Sequence, residues 1–493
     1  MILFPLLIIT FLIILPFYFP NLFFLSFISF IPILYMINKG KLKDSFFHGW
    51  LFGLTYISFS SYWLFYPLKD FSGLPIIISI FILLLLFSLI AIFYGLWAYI
   101  LKKVGVGAVR AALTWTAIEY LRYKVLSMFP IAYLGYTQQS FKILLQWADV
   151  GGVFLISFFI VLINGYIFKF INSNKKKFII PILLIFIVIS SYGIYKINVY
   201  NDLNFNSNLN VGIVQSNIEQ ENKWKTDMIE KNINNIFSTF AEMEDIDLLI
   251  TPETALTFDI IRNEYYRKKV FKLMENSNIH FQLGAQAIKD NKADYKYNSS
   301  FLFSSDGKIL ERYNKNKLVP FGEKIPFNNI VNYITNRRWY SLKAGEKSPL
   351  FKINNIKWKN YICSEILYPI LDSDLSKFDF IVNQSNEAWF DSGLQKQMWA
   401  AAVFRAVEAR KSVVKAGNYA FSGVILPSGK VKKREKVTSD KGIKTEIVFN
   451  DSKTIYNKYG NYVGYISLII VIVLLIINFI QNIRSEKDER KEV

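Results

Sequence analysis

Cysteine occurs once in the 493 residues, as Cys363 in the stretch NYICSEILYP (360–369). One thiol closes no intramolecular disulfide, and with only two histidines, His48 and His280, it builds no structural zinc site. Cys363 is therefore either a buried apolar residue, the commoner fate of a free cysteine, or a nucleophile. A histidine base would have to be His280, since His48 lies at the start of an apolar span. His280 falls at the edge of a strand-like run, where a structural role is the simpler reading. The base is then a carboxylate, whose pKa rises towards neutrality in a desolvated site. Three stretches supply the residue types. LLITPET places Glu253 just past a strand end, and RYNKNKLVPFGEKIPF holds Lys315, Lys317 and Glu323. YICSEI sets Glu365 two residues beyond Cys363. In an extended chain residues i and i+2 share a face, so Glu365 is expected to line the same pocket as the thiol. A glutamate base, a lysine facing an oxyanion and a cysteine nucleophile form a complete set for acyl transfer.

These residues must be positioned by a segment, about 198–461, whose patterning alternates between strand and helix. NVGIVQSNI, DIDLLITPE, IHFQLGAQAI and FDFIVNQSN read as short buried strands. MIEKNINNIFSTFAEME, EYYRKKVFKLMENS and QMWAAAVFRAVEARKS have helical spacing. YNSSFLFSSDGKILERYNK predicts a hairpin turning at Asp306-Gly307. The mixture predicts a layered α/β domain of about 260 residues. Weaker motifs fail. GVGAVR (105–110) lacks the third glycine of a dinucleotide loop, and GVILPSGKV (423–431) has one residue too many for a phosphate loop. No Gly-x-Ser-x-Gly elbow occurs.

The rest of the chain is blocks of apolar residues, which raise the hydrophobic content to 52% and point to a membrane protein. At roughly 20 residues per crossing, eight spans are expected, at about 2–19, 21–38, 47–65, 74–101, 107–127, 149–171, 178–197 and 462–483. The first lacks a basic n-region and a cleavage site and is read as a retained span. Lys39, Lys41 and Lys43, then Lys102, Lys103 and Arg110, then Lys175 to Lys177, and finally the tail 484–493 all fall on one side if every span crosses. That side is expected to be cytoplasmic, leaving 198–461 outside. The expected division is thus a seven-helix membrane domain (1–197), an extracytoplasmic catalytic domain (198–461), an eighth transmembrane helix (462–483) and a charged cytoplasmic tail (484–493). Much of the net charge of +19 lies in those loops, where anionic headgroups attract it; basic residues also recur through the outer domain, and no nucleic-acid-binding motif accompanies them. Glu119, inside the fifth span, either has a purpose there or pairs with Arg122.

Glu, Lys and Cys in this order on an α/β domain resemble the nitrilase (carbon-nitrogen hydrolase) superfamily. With the membrane spans, the chain resembles the apolipoprotein N-acyltransferase family in particular. The resemblance rests on FPIAYLGYTQQS, LLQWADVGGVFLISF, VQSNIEQENKW (214–224), KNKLVPFGEKIPF and SNEAWFDSGLQKQ (385–397), and it covers nearly the whole chain. It implies an αββα sandwich, a thioester on the cysteine and no metal or organic cofactor. By position it implies Glu253 as general base, Lys315 as catalytic lysine and Cys363 as nucleophile. Glu323 and Glu365 match supporting acidic residues, and Trp224 matches an aromatic at the acyl-chain entrance. Lys315 is preferred to Lys317, which stands where the family has histidine. Thr251, Ser364 and Ile131 also depart from the family pattern, around the catalytic set rather than within it.

The implied reaction takes an acyl chain from a phospholipid and delivers it to the α-amino group of the N-terminal diacylglyceryl-cysteine of an apolipoprotein. The implied location is the bacterial inner membrane, with the catalytic domain periplasmic. Two other readings compete: a membrane-tethered amidase using the same three residues, and a catalytically dead lipid-binding or scaffold protein.

Overall fold

The computed structural model describes residues 3–489 except 71–74, 202–207, 276, 289–295, 321, 325–340, 370–376, 391, 436 and 438–441. Of the stretches singled out above, residues 2 and 74 of the expected spans, residue 276 of EYYRKKVFKLMENS, residues 321 and 325–327 of the LVPFGEKIPF run, residue 391 and the tail end 490–493 lie outside the described residues. The chain separates into two units, Met1–Asn201 with Thr454–Val493, and Asp202–Lys453.

The first unit is helical. It contains α1 (Leu3–Tyr18), α2 (Ile31–Lys39), α3 (Leu42–Ser60), α4 (Phe65–Asp70), α5 (Ile76–Val104), α6 (Ala108–Val125), α7 (Lys142–Leu145), α8 (Ala148–Ser173) and α9 (Ile179–Asn201). Among the described residues five stretches are long and apolar enough to cross a membrane: Pro20–Lys39, Ile76–Val104, Ala148–Ser173, Lys176–Tyr200 and Tyr462–Ser485. They cover the expected second, fourth, sixth, seventh and eighth spans. The other three expected spans also form helices, yet fall short of that standard. The 16 residues of α1 reach only about 24 Å at 1.5 Å per residue, α3 carries Lys43 and Asp44, and α6 carries Arg110, Glu119, Arg122 and Lys124.

Helix α5 exposes Ile77, Phe81, Leu84 and Leu85 on one side while burying Phe87, Tyr94 and Trp97, the all-round apolarity that lipid contact demands. Its close neighbour is α3, where a Cβ at Gly49 would come within 2.4 Å of Ala98 Cβ, and one at Gly53 within 2.5 Å of Tyr94. Small residues four apart let the two backbones approach. Glu119 does not form an ion pair with Arg122 among the described contacts. Its carboxylate accepts the Leu134 N–H at 2.8 Å, while Arg122 donates to the carbonyls of Ile131 and Ala132 at 2.8 and 3.2 Å. Both side chains thereby pin the irregular 131–134 segment, whose main-chain groups would otherwise be left unpaired in an apolar interior.

The second unit runs β1 (Asn208–Ile213), α10 (Gln220–Lys223), α11 (Ile229–Ala241), β2 (Leu248–Ile250), β3 (Leu256–Asp259), α12 (Glu264–Met274), β4 (His280–Ile288), β5 (Lys296–Phe303), β6 (Ile309–Asn314), β7 (Leu350–Ile353), β8 (Ile356–Ile362), β9 (Phe380–Asn386), α13 (Ser392–Ala409), β10 (Ser412–Asn418), β11 (Gly423–Ile425), β12 (Val431–Arg434) and β13 (Ile443–Val448). One sheet has the order β13-β1-β2-β4-β5-β6, with β3 also on β4, and the other β12-β11-β10-β9-β8-β7. Their centres are parallel: β1, β2 and β4 in one, and β8, β9 and β10 in the other. The expected hairpin joins β5 and β6, with Gly307 at a φ of 79°.

Apolar residues of α11 (Ile233, Ile236, Phe237) and α12 (Val270, Met274) pack on Leu249, Phe281, Leu283 and Phe301 of the first sheet. Helix α13 packs on β10 and β11 of the second. The layers are helix, sheet, sheet, helix, the expected αββα arrangement. A buried polar network ties the two sheets together. Gln282 of β4 donates to Asn360 of β8 at 2.9 Å and to Gln384 of β9 at 3.1 Å, and accepts from Trp358 Nε1 at 2.8 Å. Fully satisfied networks of this kind fix one relative placement of two layers that apolar packing alone leaves free to slide.

Candidate active site

The strand ends bring the candidate residues together. Glu253 follows β2, Lys315 follows β6, Cys363 follows β8 and Asn386 ends β9. In α/β sheets the crevice outside the carboxyl ends of the strands is where ligands bind. The turn carrying Glu253 passes directly over β4, and only a glycine allows it. A Cβ at Gly284 would lie 2.2 Å from Pro252 O. Thr251 fastens the same turn, its hydroxyl accepting the Gly284 N–H at 3.0 Å and its carbonyl the Gln384 amide at 2.8 Å. Lys315 leaves β6 with its N–H bonded to Asn298 O and its carbonyl to Gly345 N–H, both at 2.9 Å.

Cys363 has a φ of 54°, the left-handed region that non-glycine residues seldom occupy. It opens a short 3₁₀ turn, Cys363–Leu367, instead of prolonging β8. The i, i+2 argument for Glu365 therefore does not apply, since the chain is no longer extended there. The Asn383 amide holds the Cys363 carbonyl at 3.2 Å, and the Cys363 thiol points to the carbonyl of Asn386 at 3.9 Å.

Glu253, Lys315, Glu323 and Asn298 close a ring. Lys315 Nζ lies 3.3 Å from Glu253 Oε1 and 2.8 Å from Glu323 Oε2. The Asn298 amide donates to the other side of the ring, to Glu253 Oε1 at 2.6 Å and Glu323 Oε1 at 2.8 Å. Glu253 Oε2 accepts the Asn386 N–H at 2.7 Å, and Glu323 Oε2 the Val319 N–H at 2.9 Å. Every carboxylate oxygen of the pair is thus engaged by a protein donor. Burial pushes the Glu253 carboxyl up, but the Lys315 ammonium, Asn298, Lys223 and the Asn386 N–H together hold it below the usual carboxylate range. Burial works against the Lys315 charge, and Glu253 and Glu323 overcome it, keeping the ammonium protonated well above its ordinary value. The thiol moves the other way: burial and then the Glu253 charge push Cys363 well up, with Lys315 opposing. The resting site is an ionised carboxylate, an ammonium and a neutral thiol.

Glu365 stands apart from this ring. Its two oxygens accept the Tyr313 hydroxyl at 2.7 and 2.8 Å, the N–H groups of Asn316 and Lys317 at 2.9 and 3.0 Å, and the Ile362 N–H at 2.8 Å. It staples the loop bearing Lys315 to the turn bearing Cys363. Lys317 is exposed, its ammonium 6.0 Å from the Tyr368 ring, whereas Lys315 is 1% exposed inside the ring. Trp224 is 40% exposed just past α10. Ser364 is half-buried beside the thiol, and Ile131 belongs to the segment pinned by Arg122 in the helical unit. His280 begins β4, its N–H on Asp247 O at 3.0 Å, at the opposite end of the sheet from Glu253.

Asn298, Asn386 and Lys223 complete the site without standing out in the sequence. Each lies within or beside a stretch singled out above (YNSS, SNEAW and NKW), but side-chain amides and a lone lysine carry no signal until the fold points them at a carboxylate. Lys223, 1% exposed, donates to the Glu253 carbonyl at 3.0 Å. A second buried pair, Lys415 with Glu387 and Ser385, lies under the same strand ends.

Residues 10–166 match the family described as apolipoprotein N-acyltransferase N-terminal domain, and residues 210–452 match carbon-nitrogen hydrolase. An apolipoprotein N-acyltransferase of Geobacter metallireducens is 27% identical over 460 residues, 88% of this chain and 87% of that protein. That of Aquifex aeolicus is 27% identical over 83% of this chain and 90% of its own. Among solved structures Nit3 of Saccharomyces cerevisiae, a member of the nitrilase superfamily, is similar at 19% identity and a TM-score of 0.39, covering 50% of this chain and 91% of that one. A carbon-nitrogen hydrolase domain preceded by the N-terminal domain of these acyltransferases places this chain in the apolipoprotein N-acyltransferase family.

Proposed function

We propose that this protein transfers an acyl chain from a phospholipid, through a thioester on Cys363, to the α-amino group of the N-terminal diacylglyceryl-cysteine of apolipoproteins, the last step of lipoprotein maturation. The observation that supports these residue roles best is the buried ring in which Lys315 bridges Glu253 and Glu323 beside the only cysteine of the chain. The match of residues 10–166 to the acyltransferase N-terminal domain favours this reading over a tethered amidase.

In the first half-reaction the Glu253 carboxylate takes the thiol proton as Cys363 Sγ attacks the ester carbonyl carbon. Because the thiol is held neutral, proton transfer and attack proceed together rather than through a standing thiolate. The Lys315 ammonium and a main-chain N–H near Cys363 face the oxyanion. The C–O bond breaks, Glu253 returns its proton to the departing lysophospholipid alkoxide, and the thioester remains. In the second half-reaction the free α-amine attacks the thioester carbon and Glu253 accepts the amine proton. The C–S bond then breaks and the proton returns to sulfur. Glu323 and Glu365 hold Lys315 and Cys363 in register, and Trp224 borders the acyl-chain entrance.

Both substrates are lipid-anchored, which suits a site attached to apolar helices. On this reading eight helices cross the bacterial inner membrane, with Glu253, Lys315 and Cys363 on the periplasmic side and the lysine-rich loops in the cytoplasm. Incubation with acyl-labelled phospholipid is expected to leave a hydroxylamine-sensitive label on the wild-type protein and none on Cys363→Ala. A label that persists in Cys363→Ala overturns the assignment of the nucleophile. Protease access to the 202–453 unit from the cytoplasmic side overturns the orientation.

A further inference from the structure

Lys223 is a buried cation that the reaction above does not use. It closes α10, is 1% exposed, and gives its ammonium to the main-chain carbonyl of Glu253 at 3.0 Å. Among the described residues it forms no direct ion pair. With the Asn386 amide turned so that both its ends are satisfied, its oxygen also accepts from the Lys223 ammonium at 3.2 Å; two neutral acceptors still do not repay a buried ammonium, so an anion nearby must offset it. The acidic groups that act on it are Glu253 and Cys363.

The charge balance of the ring gives this cation a use. Glu253 and Glu323 share one ammonium, Lys315, which leaves the three groups with a net charge of −1 if both carboxylates are ionised. Two carboxylates sharing a desolvated site tend to take up a proton. A proton on Glu253 would abolish the base. The remaining charged groups close by do not correct the imbalance: Glu387 is neutralised by Lys415, and Glu365 is satisfied by N–H groups and Tyr313. Lys223 brings the cluster to neutrality.

We propose that Lys223 is a positioning residue for the acyl transfer, the second cation beside Glu253, which keeps that carboxylate ionised and holds its turn by the main-chain carbonyl. The inference rests on Glu253 acting as the base for Cys363. Burial, only partly offset by Glu253 and Cys363, depresses Lys223 to about 8, so the ammonium is still the main form at neutral pH. Glu253 meets Lys315 first, then Lys223, with Asn298 and the Asn386 N–H as neutral donors. Cys363, Glu323 and Glu387 are the acidic groups that share its surroundings.

The test compares full-length wild type, Lys223→Gln and Lys223→Arg in detergent, measuring single-turnover thioester formation from acyl-labelled phospholipid between pH 3 and 8. Glutamine keeps a donor for the Glu253 carbonyl and removes the charge. Arginine keeps the charge. The expected result is an acid limb that moves up by about one pH unit in Lys223→Gln, a rate loss of about tenfold on the acid side, with the plateau near neutrality kept within a few-fold. Lys223→Arg returns the limb towards wild type. If Lys223→Gln does not fold, Lys223→Met takes its place in the same comparison. An acid limb in the uncharged variant that coincides with wild type, or a limb displaced equally in Lys223→Arg, overturns the proposal. Failure of the underlying reading is separate and visible in Glu253→Gln: thioester formation with an unchanged acid limb there would remove Glu253 as the base, whatever Lys223 does.

Discussion

Replacing Glu365 by glutamine separates a stapling role from a chemical one. The glutamate collects five hydrogen bonds on two oxygens, from Tyr313 to both, from Asn316 and Lys317 to one, and from Ile362 to the other. In glutamine one oxygen survives. Placed towards Asn316 and Lys317, it leaves the amide NH₂ facing the Ile362 N–H, a donor against a donor in a fully buried position. An unsatisfied buried N–H costs about 1–3 kcal/mol, and the surviving bonds lose the charge that roughly doubles their strength. The tie between the Lys315 loop and the Cys363 turn thus weakens by about 2–4 kcal/mol. At about 1.4 kcal/mol per decade, the loss corresponds to roughly a 100-fold slower single-turnover thioester formation. The shape of its pH profile should stay the same, because Glu365 exchanges no proton with substrate. Quench-flow with acyl-labelled phospholipid measures both quantities. Wild-type rates in Glu365→Gln would refute the staple, and a displaced acid limb would make Glu365 part of the proton chemistry instead.

Lys315→Met should slow thioester formation by about 100- to 1000-fold, because it removes the oxyanion-facing charge and leaves two buried carboxylates to compete for a proton. Lys317→Ala, two residues on but exposed, should stay within about twofold in the same assay. The depressed Glu253 carboxyl also fixes the sign of the pH response: the proton-accepting form persists as pH falls. The wild-type rate should hold as pH falls and decline only below the ordinary glutamate value of about 4.3, in single-turnover rates followed on both sides of that value. In the helical unit Gly49→Val meets Ala98 and the Tyr94 carbonyl already at its Cβ, and should destabilise by about 1–3 kcal/mol, read as a lower thermal midpoint in detergent. Gly107→Ala has open space around its added Cβ and should leave that midpoint unchanged.

Much of this was legible in the chain because it is local. Apolar blocks, a hairpin at Asp306-Gly307 and helices of period 3.6 are all written within windows of about 20 residues. The site was legible as residue types, since one cysteine without a plausible histidine partner leaves only carboxylates and lysines. Its internal division of labour was not. Lys315 and Lys317 are the same residue two positions apart. The Glu365 carboxylate, by capturing the N–H groups of Asn316 and Lys317, bends the loop so that one lysine enters the ring and the other meets water. Glu365 itself was misplaced by the assumption of an extended chain, which the positive φ of Cys363 breaks.

The sequence by itself determined the apolar helices and the layered strands and helices, because hydrophobic periodicity and turn chemistry act between near neighbours. It also pointed to Cys363, Glu253 and Lys315 as the nucleophile, base and lysine of the proposed reaction, through stretches that resemble a known family. Only the tertiary structure decided which charges share a cavity. Asn298, Asn386 and Lys223 reach Glu253 from strands and a helix up to 133 residues away. The protonation state of a buried carboxylate depends on that set of neighbours, and no local pattern encodes it.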